Sequence, residues 1–244
     1  MNRMLKNGIT RGIKFFAVLA VILVISAGCA SASPTVTQDT GTLPDGFVYV
    51  TDAVPDVILD IRYYSTYNFL GVRVDQYLAP VAIISNEAAQ ALVQVNAEVR
   101  AQGYLLRVFD AYRPQGAVDH FVRWAEDLDD TLTQAYFYPD ISKDRIIPDG
   151  YIFVRSGHSR GSTIDLTLVD MLTGMELDMG TAFDFFGLES HHDTELVTQE
   201  QTANRLILRN AMERAGFVIH PEEWWHFTLE NEPYPDTYFT FPVK

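Results

Sequence analysis

Residues 156–168 read SGHSRGSTIDLTL, and this stretch joins a loop of small residues to the pattern of a β-strand. From Thr163 onward polar and apolar residues alternate, and successive side chains of a strand point to opposite faces of a sheet. Thr163, Asp165 and Thr167 therefore share a polar face, while the apolar residues between them face the core. The pattern predicts a strand that holds the Asp165 carboxylate on a rigid surface.

The loop before this strand supplies a second polar group. His158 precedes Asp165, and Gly161 between them is a flexible point at which the loop can fold the imidazole back beside the carboxylate. An imidazole and a carboxylate around one centre form half of a zinc site. The alternative from this segment alone is that Asp165 only caps the loop backbone.

Helix and strand signals flank this stretch on both sides. Ser85 or Asn86 begins a helix that ends at Gly103, and a capping box at Thr198 begins another. The other predicted elements are a helix that begins at Pro114, a hairpin turn at Thr173 and Gly174, and strands at 104–109, 217–219 and 225–229. Helices and strands do not alternate regularly, so we expect a single α+β domain with a largely antiparallel central sheet and flanking helices.

The composition is that of an ordinary globular protein with a strong acidic excess. Its 244 residues include 18 Lys and Arg against 32 Asp and Glu, which gives a net charge of -14. This charge excludes a protein that neutralises nucleic-acid phosphates, and it disfavours binding to anionic membrane surfaces. The single cysteine excludes a metal site built on two thiolates, so any metal must lie on His, Asp and Glu.

The N-terminal residues 1–28 have the layout of a signal peptide. Four cations and no acid lie within residues 1–14, and eleven consecutive apolar residues follow at 15–25. This apolar run is too short to span a bilayer comfortably as a helix. The pattern therefore predicts export.

Cys29 follows in a sequence that resembles the lipobox of bacterial lipoproteins. We expect a lipid-anchored protein of the cell envelope in which Cys29 is the first mature residue, residues 29–46 are a linker and residues 47–244 are the folded domain. The lipid anchor would be its only membrane contact. The alternative is cleavage after Ala32, which would yield a periplasmic or secreted protein.

A second polar cluster lies near the C-terminus, where residues 223–229 read EWWHFTL. Glu223 lies three residues before His226 and would face away from it on a straight strand, so a turn or bulge near Trp224 must re-aim it. A carboxylate beside a zinc ion but not bound to it is the general base that a zinc hydrolase requires. The alternative is that Glu223 is a surface charge and the tryptophans are plain core residues.

Together the two segments complete the motifs S-x-H-x-x-G-x-x-x-D and E-x-W-H. The chain resembles the VanX-type D-alanyl-D-alanine dipeptidases of the zinc D,D-peptidase superfamily, peptidase family M15. The resemblance extends from about residue 57 to residue 244, through the segments DAYRP (110–114), FDFF (183–186), SHH (190–192) and EPYP (232–235). It implies a hedgehog/D,D-peptidase-like fold and one Zn2+ per chain.

Carried over position by position, the resemblance implies a complete catalytic set. His158, Asp165 and His226 would bind the zinc and leave a fourth position for water or the substrate carbonyl. Glu223 would be the general base. Arg113 would stabilise the carbonyl oxygen as it gains negative charge.

The same resemblance assigns residues to the substrate. Ser156 corresponds to the residue at the substrate carboxylate, and Asp184 and Tyr63 correspond to those near the substrate ammonium. His191 and His192 are interpreted as supporting or packing residues, because the three-ligand set is already complete.

Three functions are compatible with these residues. The leading hypothesis is zinc-dependent hydrolysis of the free dipeptide D-Ala-D-Ala to two D-alanines, with a small dipeptide and no nucleic acid as the partner. The first alternative is a D,D-carboxypeptidase or endopeptidase that acts on peptidoglycan stem peptides and needs an open cleft on the amine side. The second is a non-catalytic, zinc-stabilised binding domain, against which the presence of both Glu223 and Arg113 argues.

Overall fold

The computed structural model describes residues 42–244. The predicted signal peptide, the predicted lipidation site Cys29 and the alternative cleavage site at Ala32 lie outside the described residues. Within the described chain, none of the helices is both long and apolar enough to cross a bilayer.

Seven strands and five helices form the regular structure of the described residues. The strands are Phe47–Tyr49 (β1), Ile58–Leu59 (β2), Ile83–Ser85 (β3), Tyr104–Asp110 (β4), Thr163–Asp170 (β5), Phe217–His220 (β6) and Glu223–Leu229 (β7). The helices are Val50–Ala53 (α1), Asn86–Ala101 (α2), Gln115–Glu126 (α3), Gln134–Phe137 (α4) and Gln199–Arg214 (α5). A short 3-10 turn, Gly157–Arg160, directly precedes β5.

Five of the strands form the central sheet, in the order β2-β4-β5-β7-β6. β2 runs parallel to β4, and the other neighbouring strands are antiparallel. β1 and β3 form a separate antiparallel pair. Helix α2 packs against α5 and against β4. The predicted α+β domain with a largely antiparallel sheet and flanking helices is confirmed.

The helix boundaries follow from local capping. Ser85 caps α2 by accepting a backbone hydrogen bond, and Thr198 with Gln201 forms the predicted capping box of α5. Helix α3 ends at Glu126, so Leu128 lies past its end and is exposed, although its spacing continues the apolar face of that helix. Side-chain capping therefore marks where α2 and α5 begin, whereas apolar spacing alone does not mark where α3 ends.

Strand β5 lies at the centre of the sheet and is buried on both faces. Thr163, Asp165 and Thr167 share one face as the alternation predicts, yet all three are buried. The polar face is therefore not a solvent face. Asp165 instead lines a cavity to which residues from other parts of the chain also contribute.

Helix α5 buries an arginine that the sequence analysis does not identify. Arg205 is buried and donates hydrogen bonds to three backbone carbonyl oxygens of one loop. These acceptors are Met179 at 2.6 Å, Glu189 at 2.8 Å and His191 at 2.9 Å. Because the acceptors lie on either side of Asp184 in the sequence, Arg205 anchors both ends of the loop that includes it.

Candidate active site

The three residues predicted as metal ligands lie together at the start of β5. His158 is in the 3-10 turn, Asp165 is on β5 and His226 is on β7. His158 Nε2 lies 3.2 Å from Asp165 Oδ2, His226 Nδ1 lies 3.2 Å from Asp165 Oδ1, and the two ring nitrogens are 3.3 Å apart. Within residues 42–244 this is the one group of three or more His, Cys, Asp or Glu side chains able to share a metal ion.

Strand pairing and one glycine bring these side chains together. β5 and β7 are antiparallel, with Asp165 directly opposite His226, and opposite residues on neighbouring strands have adjacent side chains. Gly161 ends the 3-10 turn with φ +88°, a left-handed conformation that glycine adopts without strain. A β-carbon at this position would overlap the Phe47 ring. Gly161 therefore permits the reversal that places His158 beside Asp165.

The donor atoms of this group fit zinc. Two imidazole nitrogens and one carboxylate oxygen are typical ligands of a catalytic Zn2+, which keeps its fourth position open. His158 Nδ1 lies 2.6 Å from the carbonyl oxygen of Ala111. This contact assigns the proton to Nδ1, so that Nε2 presents its lone pair to the centre of the group.

The charges around the ligands favour a cation at their centre. Burial alone would raise the pKa of Asp165, but the imidazoles of His158 and His226 hold it well below its usual range. Burial alone would lower the pKa of His226, but its hydrogen bonds to Asp165 and Glu223 raise it to about 9. The carboxylates of Asp165 and Glu223 therefore stabilise positive charge at the His226 imidazole. A bound metal ion would supply that positive charge in place of the proton.

Zinc binding is expected to release a proton at neutral pH. Without metal, His226 keeps its proton up to a pH of about 9, and a histidine must lose this proton to become a ligand. Zinc affinity should therefore rise with pH and level off above about pH 9. Calorimetric titration in buffers of different ionisation enthalpy should give about one proton per zinc at a pH of about 7. Zinc binding without proton release at this pH would contradict this assignment.

Glu223 lies beside the ligand group, with its Oε2 atom 3.2 Å from His226 Nδ1. The predicted irregularity near Trp224 is confirmed, because the pairing of β6 with β7 shifts register after Ile219. Trp224 and Trp225 are also both buried, although successive residues of a regular strand face opposite sides of the sheet. This shift turns Glu223 toward the ligands. Burial alone would raise the pKa of Glu223, but His226 lowers it, so the carboxylate is anionic at neutral pH.

Arg113 approaches the group from the turn between β4 and α3. Its Nη2 atom lies 3.5 Å from Asp165 Oδ2, and its Nε atom donates to Asp110 Oδ2 at 2.9 Å. The guanidinium also lies over the rings of Tyr63 and Phe121, at 4.9 Å and 5.0 Å from their centroids. The side chain is therefore held on several sides while it lines the cavity.

A further buried carboxylate lines the same cavity. The Tyr63 hydroxyl donates to Asp184 Oδ1 at 3.0 Å, whereas Asp184 Oδ2 is buried and has no hydrogen-bond partner among the described residues. Asp184 also has φ +63°, a left-handed conformation that is uncommon for aspartate. Burial, and then the negative charge of Asp165, raise its pKa well above the usual range. A positively charged ligand beside Asp184 would offset both the burial of its carboxylate and the negative charge of Asp165.

The predicted site residues of the folded domain all line one cavity of about 300 Å³. They are Tyr63, Arg113, Ser156, His158, Asp165, Asp184, Glu223 and His226. The Ser156 hydroxyl accepts a hydrogen bond from the His158 backbone N–H at 3.3 Å, so Ser156 also caps the turn that contains this ligand. The structure thus brings together residues from five separate parts of the sequence.

Two other histidines lie close to the site. His220 lines the cavity, and its ring centroid is 5.2 Å from that of His226. Nothing in the local sequence of His220 distinguishes it as a site residue, and it was not predicted to be one. His192 packs against Phe227 with ring centroids 5.7 Å apart and lies outside the ligand group.

Asp110 is a buried polar residue that contacts the site residues Arg113 and His158, and no role was predicted for it from the sequence. A shift in the pairing of β4 with β5 between Val108 and Asp110 places Asp110 opposite Asp165. Asp165 is in turn opposite His226, so the three residues form a row across three strands. The one sequence feature that pointed to Asp110 was its position at the start of the DAYRP segment. The residue that it faces depends on the irregular pairing of β4 with β5.

Comparisons with known proteins agree with this geometry. A sequence profile of the M15 peptidases, described as D-Ala-D-Ala dipeptidase, matches residues 44–244. A D-alanyl-D-alanine dipeptidase of Enterococcus faecalis is 42% identical over 202 residues, which cover 83% of this chain and 100% of that protein. Those of Enterococcus faecium and Streptomyces coelicolor are 40% and 41% identical, over 82% and 81% of this chain and 98% of each relative. The chain therefore belongs to the M15 metallopeptidase family of D-Ala-D-Ala dipeptidases.

Proposed function

We propose that this protein hydrolyses the free dipeptide D-Ala-D-Ala to two D-alanines in a zinc-dependent reaction. The main supporting observation is that one cavity contains both the His158, Asp165 and His226 group and the unpartnered carboxylate oxygen of Asp184. The first provides a centre for hydrolysis, and the second provides a partner for a free ammonium group. The names of the three relatives support the same substrate.

His158, Asp165 and His226 would hold one zinc ion per chain. A bound zinc ion supplies Lewis-acid chemistry, which polarises the scissile carbonyl and makes water nucleophilic at neutral pH. The Ala111 carbonyl keeps the His158 ring in the tautomer and orientation that ligation requires.

Glu223 and Arg113 would act on the charges that change during the reaction. The anionic carboxylate of Glu223 accepts a proton from the attacking water and passes it to the leaving amine nitrogen, which regenerates the carboxylate. Arg113 donates from its terminal nitrogens to the carbonyl oxygen as this oxygen gains negative charge. Its Nε atom does not take part, because Asp110 already binds it.

The cavity wall would select a substrate that has both termini free. Asp184, oriented by the Tyr63 hydroxyl, would bind the ammonium group, and Ser156 would bind the carboxylate. A peptide extended or capped at its N-terminus would leave Asp184 buried without a countercharge, which is strongly unfavourable. We therefore favour a dipeptidase over the D,D-carboxypeptidase and endopeptidase alternatives.

Release of D-alanine from D-Ala-D-Ala by the zinc-reconstituted protein tests the proposal. We expect about one zinc per chain and a turnover that is lost when a chelator removes the metal. His158→Ala should lose both zinc and turnover, whereas His191→Ala should keep both. Undiminished zinc in His158→Ala, or no D-alanine release from fully zinc-loaded protein, would contradict the proposal.

A further inference from the structure

We propose that Tyr77 and Asp110 are positioning residues that hold Arg113 in the orientation needed to stabilise the transition state. Neither residue is among the described residues that line the cavity, so any effect on the substrate must pass through a neighbour. The inference rests on the proposed function, because it assumes that Arg113 acts on the carbonyl oxygen.

Asp110 uses its two carboxylate oxygens for two different hydrogen-bond partners, and its Oδ2 atom also lies 3.5 Å from His158 Nδ1. Oδ1 accepts a hydrogen bond from the Tyr77 hydroxyl at 2.5 Å, and Oδ2 accepts one from Arg113 Nε at 2.9 Å. Asp110 is 1% exposed, so water does not compete for these oxygens. Hydrogen bonds to a buried carboxylate are shorter and stronger than neutral ones, and the Tyr77 bond therefore fixes the plane of the carboxylate that Arg113 contacts.

Tyr77 is itself held from two sides. Its ring is buried and packs edge-on against Tyr63 at a centroid distance of 5.6 Å. The backbone around it pairs with the C-terminal segment, since Val243 N–H donates to the Gln76 carbonyl and Leu78 N–H donates to the Val243 carbonyl. The hydroxyl therefore has little freedom to leave Asp110.

Arg113 has a competing partner on the metal side of the site. Its Nη2 atom lies 3.5 Å from Asp165 Oδ2, which belongs to the ligand group. If the Asp110 carboxylate rotated, the guanidinium would be free to form a closer ion pair with Asp165, and its terminal nitrogens would be lost to the substrate. Asp110 fixed by Tyr77 keeps Nε engaged and leaves those nitrogens preorganised for the developing oxyanion.

Tyr77→Phe tests this inference, because it removes only the hydroxyl that contacts Asp110. We expect kcat to fall about tenfold while KM stays within about twofold, since the interaction acts in the transition state. The affinity for a phosphinate analogue of the dipeptide, whose tetrahedral anion resembles that state, should fall by a similar factor, with zinc content unchanged. The matched control is Tyr49→Phe, which removes a hydroxyl bonded to the Lys244 carbonyl at 2.9 Å and should leave both values unchanged.

A double-mutant cycle separates positioning from general destabilisation. In the Arg113→Ala background, Tyr77→Phe should lower kcat by less than about twofold further, because the residue on which Tyr77 acts is gone. A tenfold loss that persists in that background would overturn the inference, as would wild-type kcat and phosphinate affinity in Tyr77→Phe itself. Asp110→Asn is a second variant in which we expect a larger loss of kcat, and wild-type kcat there would equally overturn the inference.

The proposed function fails on a different result, namely no D-alanine release from fully zinc-loaded wild-type protein. Wild-type kcat in Arg113→Ala would remove the role of Arg113, and with it the positioning role of Tyr77 and Asp110. If kcat falls in Arg113→Ala but stays at the wild-type value in Tyr77→Phe and Asp110→Asn, only the positioning role is overturned.

Discussion

Glu223→Gln is expected to lower kcat for D-Ala-D-Ala by about 10³ or more while the protein keeps about one zinc per chain. Glutamine preserves the shape of the side chain but cannot accept the proton of the attacking water. Glu223 lies 3.2 Å from His226 Nδ1 but outside the group of three candidate ligands, so the substitution leaves the donor atoms in place. Steady-state kinetics and elemental analysis of the same preparation measure the two effects.

The neighbouring residue provides a matched control for this experiment. The Glu222 side chain is 55% exposed, and Glu222→Gln makes the same chemical change one position earlier. It should keep wild-type turnover. Loss of zinc in Glu223→Gln would instead make Glu223 a ligand, and wild-type turnover in that variant would exclude it as the base.

Acetylation of the substrate amine is expected to reduce kcat/KM by a factor of about 10² to 4 × 10³. Asp184 is 5% exposed and its Oδ2 atom has no partner among the described residues, so the substrate ammonium is proposed as its countercharge. Loss of one member of a buried charge pair costs about 3–5 kcal/mol, and each factor of ten corresponds to about 1.4 kcal/mol. Parallel assays of free and N-acetylated D-Ala-D-Ala measure this ratio directly.

Substitution of Asp184 tests the same contact from the protein side. Asp184→Asn should damage hydrolysis of the free dipeptide far more than any residual activity on the acetylated compound. Asp193→Asn is the control, because the Asp193 side chain is 86% exposed and lies nearby in the sequence. If wild-type protein cleaves acetylated dipeptide or a stem pentapeptide as well as the free dipeptide, an open-cleft carboxypeptidase replaces the dipeptidase, with the metal ligands and Glu223 unchanged.

The segments around His158 and Glu223 could be predicted because they are short local patterns, whereas the roles of Arg113, Ser156, Asp184 and Tyr63 were implied only by the family resemblance. The spacing from His158 to Asp165, with Gly161 between them, predicts a turn followed by a strand, and the structure has both. The three-residue spacing of Glu223 and His226 predicts an irregular strand, and the pairing of β6 with β7 confirms it. The predicted export and lipidation at Cys29 lie outside the described residues and stay predictions from composition and order alone.

The sequence by itself determined the strand and turn that present His158 and Asp165, because backbone conformation and side-chain alternation depend on a few adjacent residues. Only the tertiary structure decided the partners of Asp110 and Asp184. Tyr77 and Asp110 are 33 residues apart, and Tyr63 and Asp184 are 121 apart. Their contacts depend on strand register and on loops packed over the sheet, and a shift of one residue in register changes which residues face each other. No local pattern encodes such a shift, so these polar contacts emerge only in the folded chain.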